Sequence, residues 1–331
     1  MSENIELEQH KYNFPEKFIP LISLLVGISA ISTTALFIKV SVQEMSVNST
    51  MFNRLWIASI IFISLNVYHR FRPQDNQKPI QETFQKPSYQ IIDFVLLIIV
   101  SLIYISGRFL WTISLYETTV ANAMILNSST PLFTALGGWL FLRQSFGVKF
   151  IIGLVVAIVG SITLELGELQ KVNINLIGDG AALLSSVFFA ANLLIVEKIR
   201  NKFSSSQILL SRCLVGTASV LPIVLLFEDN ILPTTTLGWI TVICMAAIGE
   251  MIGHGLLVYS VKFFPSSFVA ITMLLEPIIA IILAWIIFSE GLGTLTWLAL
   301  ALVLLGVYLS KDDVERSSDE VPSTPVSSTT E

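Results

Sequence analysis

The chain has 331 residues, of which 53% are hydrophobic and only 13% charged, with a mean hydropathy of +0.76. Soluble globular domains carry about 25% charged residues, so this composition excludes an ordinary water-soluble protein and places the chain in a lipid bilayer. The net charge of -5 gathers at the two ends, no basic arm suggests nucleic acid, and Cys213 and Cys244 lie in apolar stretches without metal-ligand spacing, so no metal and no cofactor is expected.

A transmembrane helix needs about 20 mainly apolar residues. On that measure the sequence predicts an all-α polytopic membrane protein with ten spans. These are Phe18 to Val40, Ser49 to Tyr68, Phe94 to Leu115, Ala121 to Leu142, Val148 to Glu165, Leu176 to Val196, Ile208 to Phe227, Leu237 to Val261, Ser267 to Phe288 and Gly293 to Leu309. The first is too long for a signal-peptide core and is read as retained. Lys11, Lys17, Arg70, Arg72, Lys78, Lys86, Arg143, Lys149, Lys198, Arg200, Lys202, Lys262, Lys311 and Arg316 fall on one side, leaving Lys171 and Lys39 for the other. The positive-inside rule then predicts that the N-terminus and the C-terminus are both cytoplasmic. Arg70 to Gln90 reads as a polar cytoplasmic connection, and Asn48-Ser49-Thr50 matches a glycosylation sequon in an external loop. The organisation expected is a cytoplasmic tail over 1–17, a five-helix unit over 18–166, an external linker over 167–175, a second unit over 176–310 and a disordered cytoplasmic tail over 311–331.

The two units are one unit written twice. Gly107, Ser114, Pro131, Trp139 and Gly160 recur 146 residues later as Gly253, Ser260, Pro277, Trp285 and Gly306. Arg54 and Arg212 sit in Phe-Asn-Arg-Leu-Trp and Leu-Ser-Arg-Cys-Leu, and Lys39 and Lys198 end similar apolar stretches. An odd number of spans per copy forces the second to enter the membrane from the opposite side, giving inverted repeats, the ground plan of secondary transporters.

The stretch from Ala121 through Asn127, Ser128, Ser129, Thr130 and Pro131 to Trp139, and its echo Leu275-Glu-Pro through Trp285, resemble the fourth and ninth helices of EamA-type permeases of the drug/metabolite transporter superfamily. The resemblance spans about Phe18 to Ser310. It implies ten helices in two inverted five-helix repeats, a central cavity open alternately to each side, and small organic solutes as cargo. The copies differ in polar content: the position held by Glu276 is Thr130 in the first repeat.

A charged side chain at mid-membrane costs about 2.5 to 3.5 kcal/mol, so each needs a partner or a wet cavity. Glu250 and His254, four apart, share a helix face, and their repeat mates are Tyr104 and Arg108. An inverted two-fold brings all four around one space. There Arg108 suits a carboxylate, while Glu250 and His254 suit an ammonium group or a coupling proton; alternatively Arg108 and Glu250 neutralise one another. Pro131 and Pro277 should free the carbonyls of Asn127 and Met273 and break their helices, with Asn127, Thr130 and Glu276 beside the breaks. Trp111 and Asn192 are further lining candidates. Arg54 and Arg212, early in their spans, read as gate residues or structural ties. The fifth and tenth spans, with Gly153, Gly160 and Gly306, suit tight packing at the periphery and a homodimer contact.

The function expected is secondary active transport of small organic metabolites, exporting amino acids or similar zwitterions across a plasma (bacterial inner) membrane. The alternatives are a nucleotide-sugar or phosphorylated-metabolite exchanger and a membrane receptor or scaffold. No P-loop occurs, no His-Glu-x-x-His occurs, and Asp179 in Gly178-Asp179-Gly180 lacks a second aspartate in the spans, so no enzyme activity is expected.

Overall fold

Inside hydrocarbon every backbone N–H and C=O must be satisfied within the protein, which an apolar chain achieves by coiling into helices. A computed structural model describes residues 14–41, 43–71, 90–166, 175–288 and 293–316, and every regular element among them is helical. The first repeat comprises α1 (Phe14–Ser41), α2 (Val47–Phe71), α3 (Ile91–Glu117), α4 (Val120–Asn127), α5 (Thr130–Leu142) and α6 (Val148–Leu166). The second comprises α7 (Leu176–Ile199), α8 (Ser205–Phe227), α9 (Thr236–Cys244), a π-helix (Met245–His254), α10 (Gly255–Ser260), α11 (Ser266–Met273), α12 (Leu275–Phe288) and α13 (Thr294–Arg316). Among the described residues eight helices are long and apolar enough to cross a membrane, and Val148–Leu164 is a shorter apolar one.

The breaks expected at Pro131 and Pro277 are present: the fourth expected span is two short helices, α4 and α5, and the ninth is α11 followed by α12. The structure departs from the sequence reading in the eighth and tenth spans. The eighth carries a ten-residue π-helix in its middle, a rare form with i→i+5 bonds that periodicity does not disclose. Finally, α13 continues to Arg316, past the expected end at Leu309. Residues 1–13, most of the Arg70 to Gln90 connection, Lys171 and the tail beyond Arg316 lie outside the described residues.

Packing repeats as the sequence does. In one half α3 lies along α7; in the other the π-helix and α10 lie along α1. The repeat mates Gly107 and Gly253 make both approaches possible: a Cβ on Gly107 would stand 3.0 Å from the Phe189 ring, and one on Gly253 2.7 Å from Ile31 Cγ1. The remaining helices meet their own counterparts, α2 against α8 and α6 against α13. Gly153, Gly160 and Gly306, expected to suit tight packing, close the α6–α13 contact within the chain, where a Cβ on Gly306 would lie 2.6 Å from Ala157. Outward, Ile151, Ile152, Val155 and Val159 of α6 and Leu304 and Leu305 of α13 are exposed, as a lipid-facing surface requires.

Polar knots sit at both ends of the bundle. At one end Glu44, in the α1–α2 turn, accepts from the N–H and hydroxyl groups of Thr234 and Thr235 ahead of α9. The sequon is engaged here too: Asn48 donates to Glu228 at 2.8 Å, Ser49 donates to the Asn230 carbonyl at 2.9 Å, and Ser49 and Thr50 are buried. At the other end Lys202 reaches Asp93 at 2.8 Å.

Candidate functional site

Two helix breaks face each other. Pro131, in the first turn of α5, has no N–H to donate, and the Asn127 carbonyl instead accepts the Thr130 hydroxyl at 2.7 Å. Asn127 donates to Ser185 at 3.0 Å, and Ser128 bonds Ser161 at 2.8 Å, pinning the break to α7 and α6. Across the bundle the chain turns at Leu274 ahead of Pro277, and Ser32 of α1 donates to the Glu276 carbonyl at 2.9 Å. Between the breaks lies a cavity of about 260 Å³ bordered by both repeats.

One wall is polar. Arg108 Nε donates to the Tyr104 hydroxyl at 3.1 Å, and Tyr104 lies 3.3 Å from His254 Nε2. His254 Nδ1 stands 3.0 Å from the Gly249 carbonyl, which can only accept, so Nδ1 carries the proton and Nε2 accepts from Tyr104. The π-helix makes this side chain to i−5 contact possible. Arg212 of α8 lays its guanidinium 3.9 Å from the centre of the Tyr104 ring and donates one Nη to Asn192 at 3.2 Å. Asn192 in turn donates to the Val100 carbonyl at 3.0 Å. Glu276 projects from the opposite break with its carboxylate unbonded among the described residues, in electrostatic reach of Arg108.

Behind this wall sits a second layer. Glu250 is fully buried and does not border the cavity; its Oε1 lies 3.0 Å from Arg54 Nε and its Oε2 3.5 Å from His254 Nδ1. The angles at Arg54 Nε fall short of a hydrogen bond, so charge rather than directionality holds the pair.

Of the residues expected at the site, Tyr104, Arg108, Trp111, Asn127, Thr130, Pro131, Asn192, His254, Glu276 and Pro277 border the cavity. Glu250 stands one layer back, and the alternative Arg108–Glu250 pair does not form: Arg54 takes that place. Arg54 is thus a tie between α2 and the π-helix. Its repeat mate Arg212 reaches the cavity, because a side chain several ångströms long extends from near the helix end toward Tyr104. Phe189, Ser161 and Ser185 carry no mark of a site in the sequence; Phe189 packs at a tilt on Tyr104 with ring centres 6.2 Å apart, and an apolar pattern gives no sign of that.

The cavity is closed at one end. There α5 packs on α11, and Gln144 donates to Glu197 Oε1 at 2.8 Å while the Ser266 N–H donates to Oε2 at 2.8 Å and Ser267 donates to Gln144 at 3.2 Å. The counterparts in the repeat, α4 and α12, share no comparable contact.

Fold and cavity define an integral, multi-pass helical membrane protein made of a duplicated, inverted unit, the architecture of a transporter. The model of the EamA-like transporter family matches residues 18–165 and again residues 176–311, and the chain belongs to that family. No curated protein matches the chain. A solved structure described as "Crystal structure of protein" is similar at a TM-score of 0.71 and 15% identity, over 90% of this chain and 99% of that one, a likeness of fold alone.

Proposed function

We propose that this protein is a secondary active transporter that exports amino acids or similar zwitterions across the plasma membrane, with ten crossings and both termini in the cytoplasm. One observation carries the cargo: the Nη groups of Arg108 and the carboxylate of Glu276 have no hydrogen-bond partner among the described residues and border the same cavity between the repeats. A buried charge without a partner costs several kcal/mol, so a solute bearing a carboxylate and an ammonium group supplies what the protein leaves out. The volume of about 260 Å³ lies below the range of about 300–1,000 Å³ usual for larger ligands, which favours a small metabolite over a nucleotide sugar. Lys198, a basic group a polyanion would call on, does not border the cavity.

The unequal ends support alternating access. The α5–α11 contact with Gln144 and Glu197 is the closed cytoplasmic gate, and α4 and α12 frame the external opening. Rocking one repeat against the other breaks the first contact and forms its counterpart. The test is counterflow of labelled amino acids in proteoliposomes with Arg108→Gln and Glu276→Gln beside the wild type. Each variant should lose at least about tenfold in flux, the worth of a charged hydrogen bond. Variants that transport like the wild type would remove these residues from the site.

A further inference from the structure

The charges around the cavity do not balance. Among the described residues Arg54, Arg108 and Arg212 supply three cations to this region, and Glu250 and Glu276 supply two anions. Arg54 and Glu250 face one another at 3.0 Å and cancel. His254 is satisfied as a neutral ring, with Nδ1 on the Gly249 carbonyl and Nε2 facing the Tyr104 hydroxyl. That leaves two guanidinium groups against the single carboxylate of Glu276.

The two guanidinium groups are also neighbours. Both lie against the Tyr104 ring, Arg212 at 3.9 Å and Arg108 at 5.5 Å from its centre. The ring face attracts each cation, yet it cannot discharge them, and two like charges around one ring repel. Their hydrogen bonding is largely unused. Among the described residues Arg108 donates only through Nε, and Arg212 only through one Nη, to Asn192. Two planar forks with open donors, in a small and mostly apolar space, are suited to two separate acid groups rather than one.

Resting on the amino-acid reading above, we propose that the preferred cargo is a monoanion with two carboxylates and one ammonium group, that is, an acidic amino acid. One carboxylate binds Arg108, the other binds Arg212, and the ammonium group binds Glu276. A neutral zwitterion would leave one guanidinium buried and uncompensated when the cavity closes. Arg212, which the repeat would cast as a structural tie like Arg54, becomes the residue that sets specificity.

The experiment compares L-glutamate with L-glutamine, which differ by one charge at almost equal size, by calorimetric titration of the purified full-length protein in detergent at fixed pH and ionic strength. Glutamate should bind at least about tenfold more tightly than glutamine, as expected for one charge-assisted hydrogen-bonded pair. In Arg212→Gln, checked for folding by its melting curve, that ratio should fall to about one. The wild-type comparison stands even if the variant does not fold. Equal affinity of the wild type for the two ligands overturns this inference and leaves the zwitterion reading in place, whereas binding of neither overturns both.

Discussion

Arg54 and Arg212 come from the same position of a duplicated unit, and both are buried, at 5% and 3% exposure. Arg54 faces Glu250 across 3.0 Å, so its charge is compensated inside the protein. Arg212 rests on an aromatic ring and an amide, neither of which carries charge. The same divergence separates the next pair of mates: Tyr104 and Arg108 border the cavity, while Glu250 lies behind it and His254 bridges the two layers. The duplicated unit is therefore used unequally: Arg54 and Glu250 face one another between helices, while Arg108 and Arg212 border the cavity. Removing the partner of a compensated buried cation should cost stability, and removing an uncompensated one should cost binding.

Substitutions on either side of that division should separate the two effects. The largest change is expected for Glu250→Gln, which strands Arg54 in the interior; removing one partner of a buried ion pair costs about 3–5 kcal/mol. Denaturation in detergent should show it, and replacing both members, Arg54→Met with Glu250→Leu, should recover most of the loss. A single variant as stable as the wild type would mean that Arg54 is as open as Arg212. Next comes Arg108→Gln. Its stability should stay near that of the wild type, while affinity for an amino acid falls by about 10- to 150-fold, corresponding to about 1.5–3 kcal/mol for a charged hydrogen bond. Equal losses of stability and affinity would erase the distinction.

The division itself was only half legible in the sequence. Helices, the repeat and the proline breaks follow from apolar run length and from marks such as Pro131 and Pro277, because local chemistry dictates them. That Tyr104, Arg108 and His254 meet was legible too, since the inverted two-fold maps 104 onto 250 and 108 onto 254. What could not be read is which partner Glu250 takes. Arg54, Arg108 and Arg212 are equivalent candidates by type, and the choice depends on side-chain reach across α2, α3 and α8. The π-helix adds to this, because it rotates His254 onto the Gly249 carbonyl in a way that a period of 3.6 does not describe.

A smaller effect is expected at the closed end. Glu197 there is held by neutral donors, Gln144 and the Ser266 N–H, so its contact can be broken without stranding a cation. Gln144→Ala removes two hydrogen bonds, to Glu197 and from Ser267, each worth about 1 kcal/mol, and should shift the equilibrium toward the opposite opening by at least about fivefold. A cysteine introduced at Ala270, which borders the cavity next to this contact, should then react that much faster with an impermeant maleimide added on the side of the α5–α11 contact. An unchanged rate would show that α5 and α11 stay together by apolar packing alone.

The smallest effect belongs to Glu44, a carboxylate tied to dipoles where Glu250 is tied to a cation. The Thr235 hydroxyl, then the Thr235 N–H and the Thr234 hydroxyl, hold its carboxyl well below the usual value of 4.5, at about 2. The Thr235 N–H belongs to the N-cap of α9, where a negative charge also meets the positive end of the helix dipole. A carboxyl whose value is lowered on folding stabilises the fold above its unfolded value, so this contribution is complete above about pH 4.5 and disappears as pH falls toward about 2. Glu44→Gln should melt below the wild type at neutral pH, and the gap should narrow through that window. The group is open to water and therefore screened, so the gap should be well below the loss in Glu250→Gln. Because its partners are dipoles fixed by the turn before α9 rather than a mobile cation, the gap should also change little with added salt. Parallel melting curves at every pH would mean that the Thr234–Thr235 turn holds its shape without Glu44, leaving Asn48 and Ser49 as the ties between the α1–α2 and α8–α9 turns.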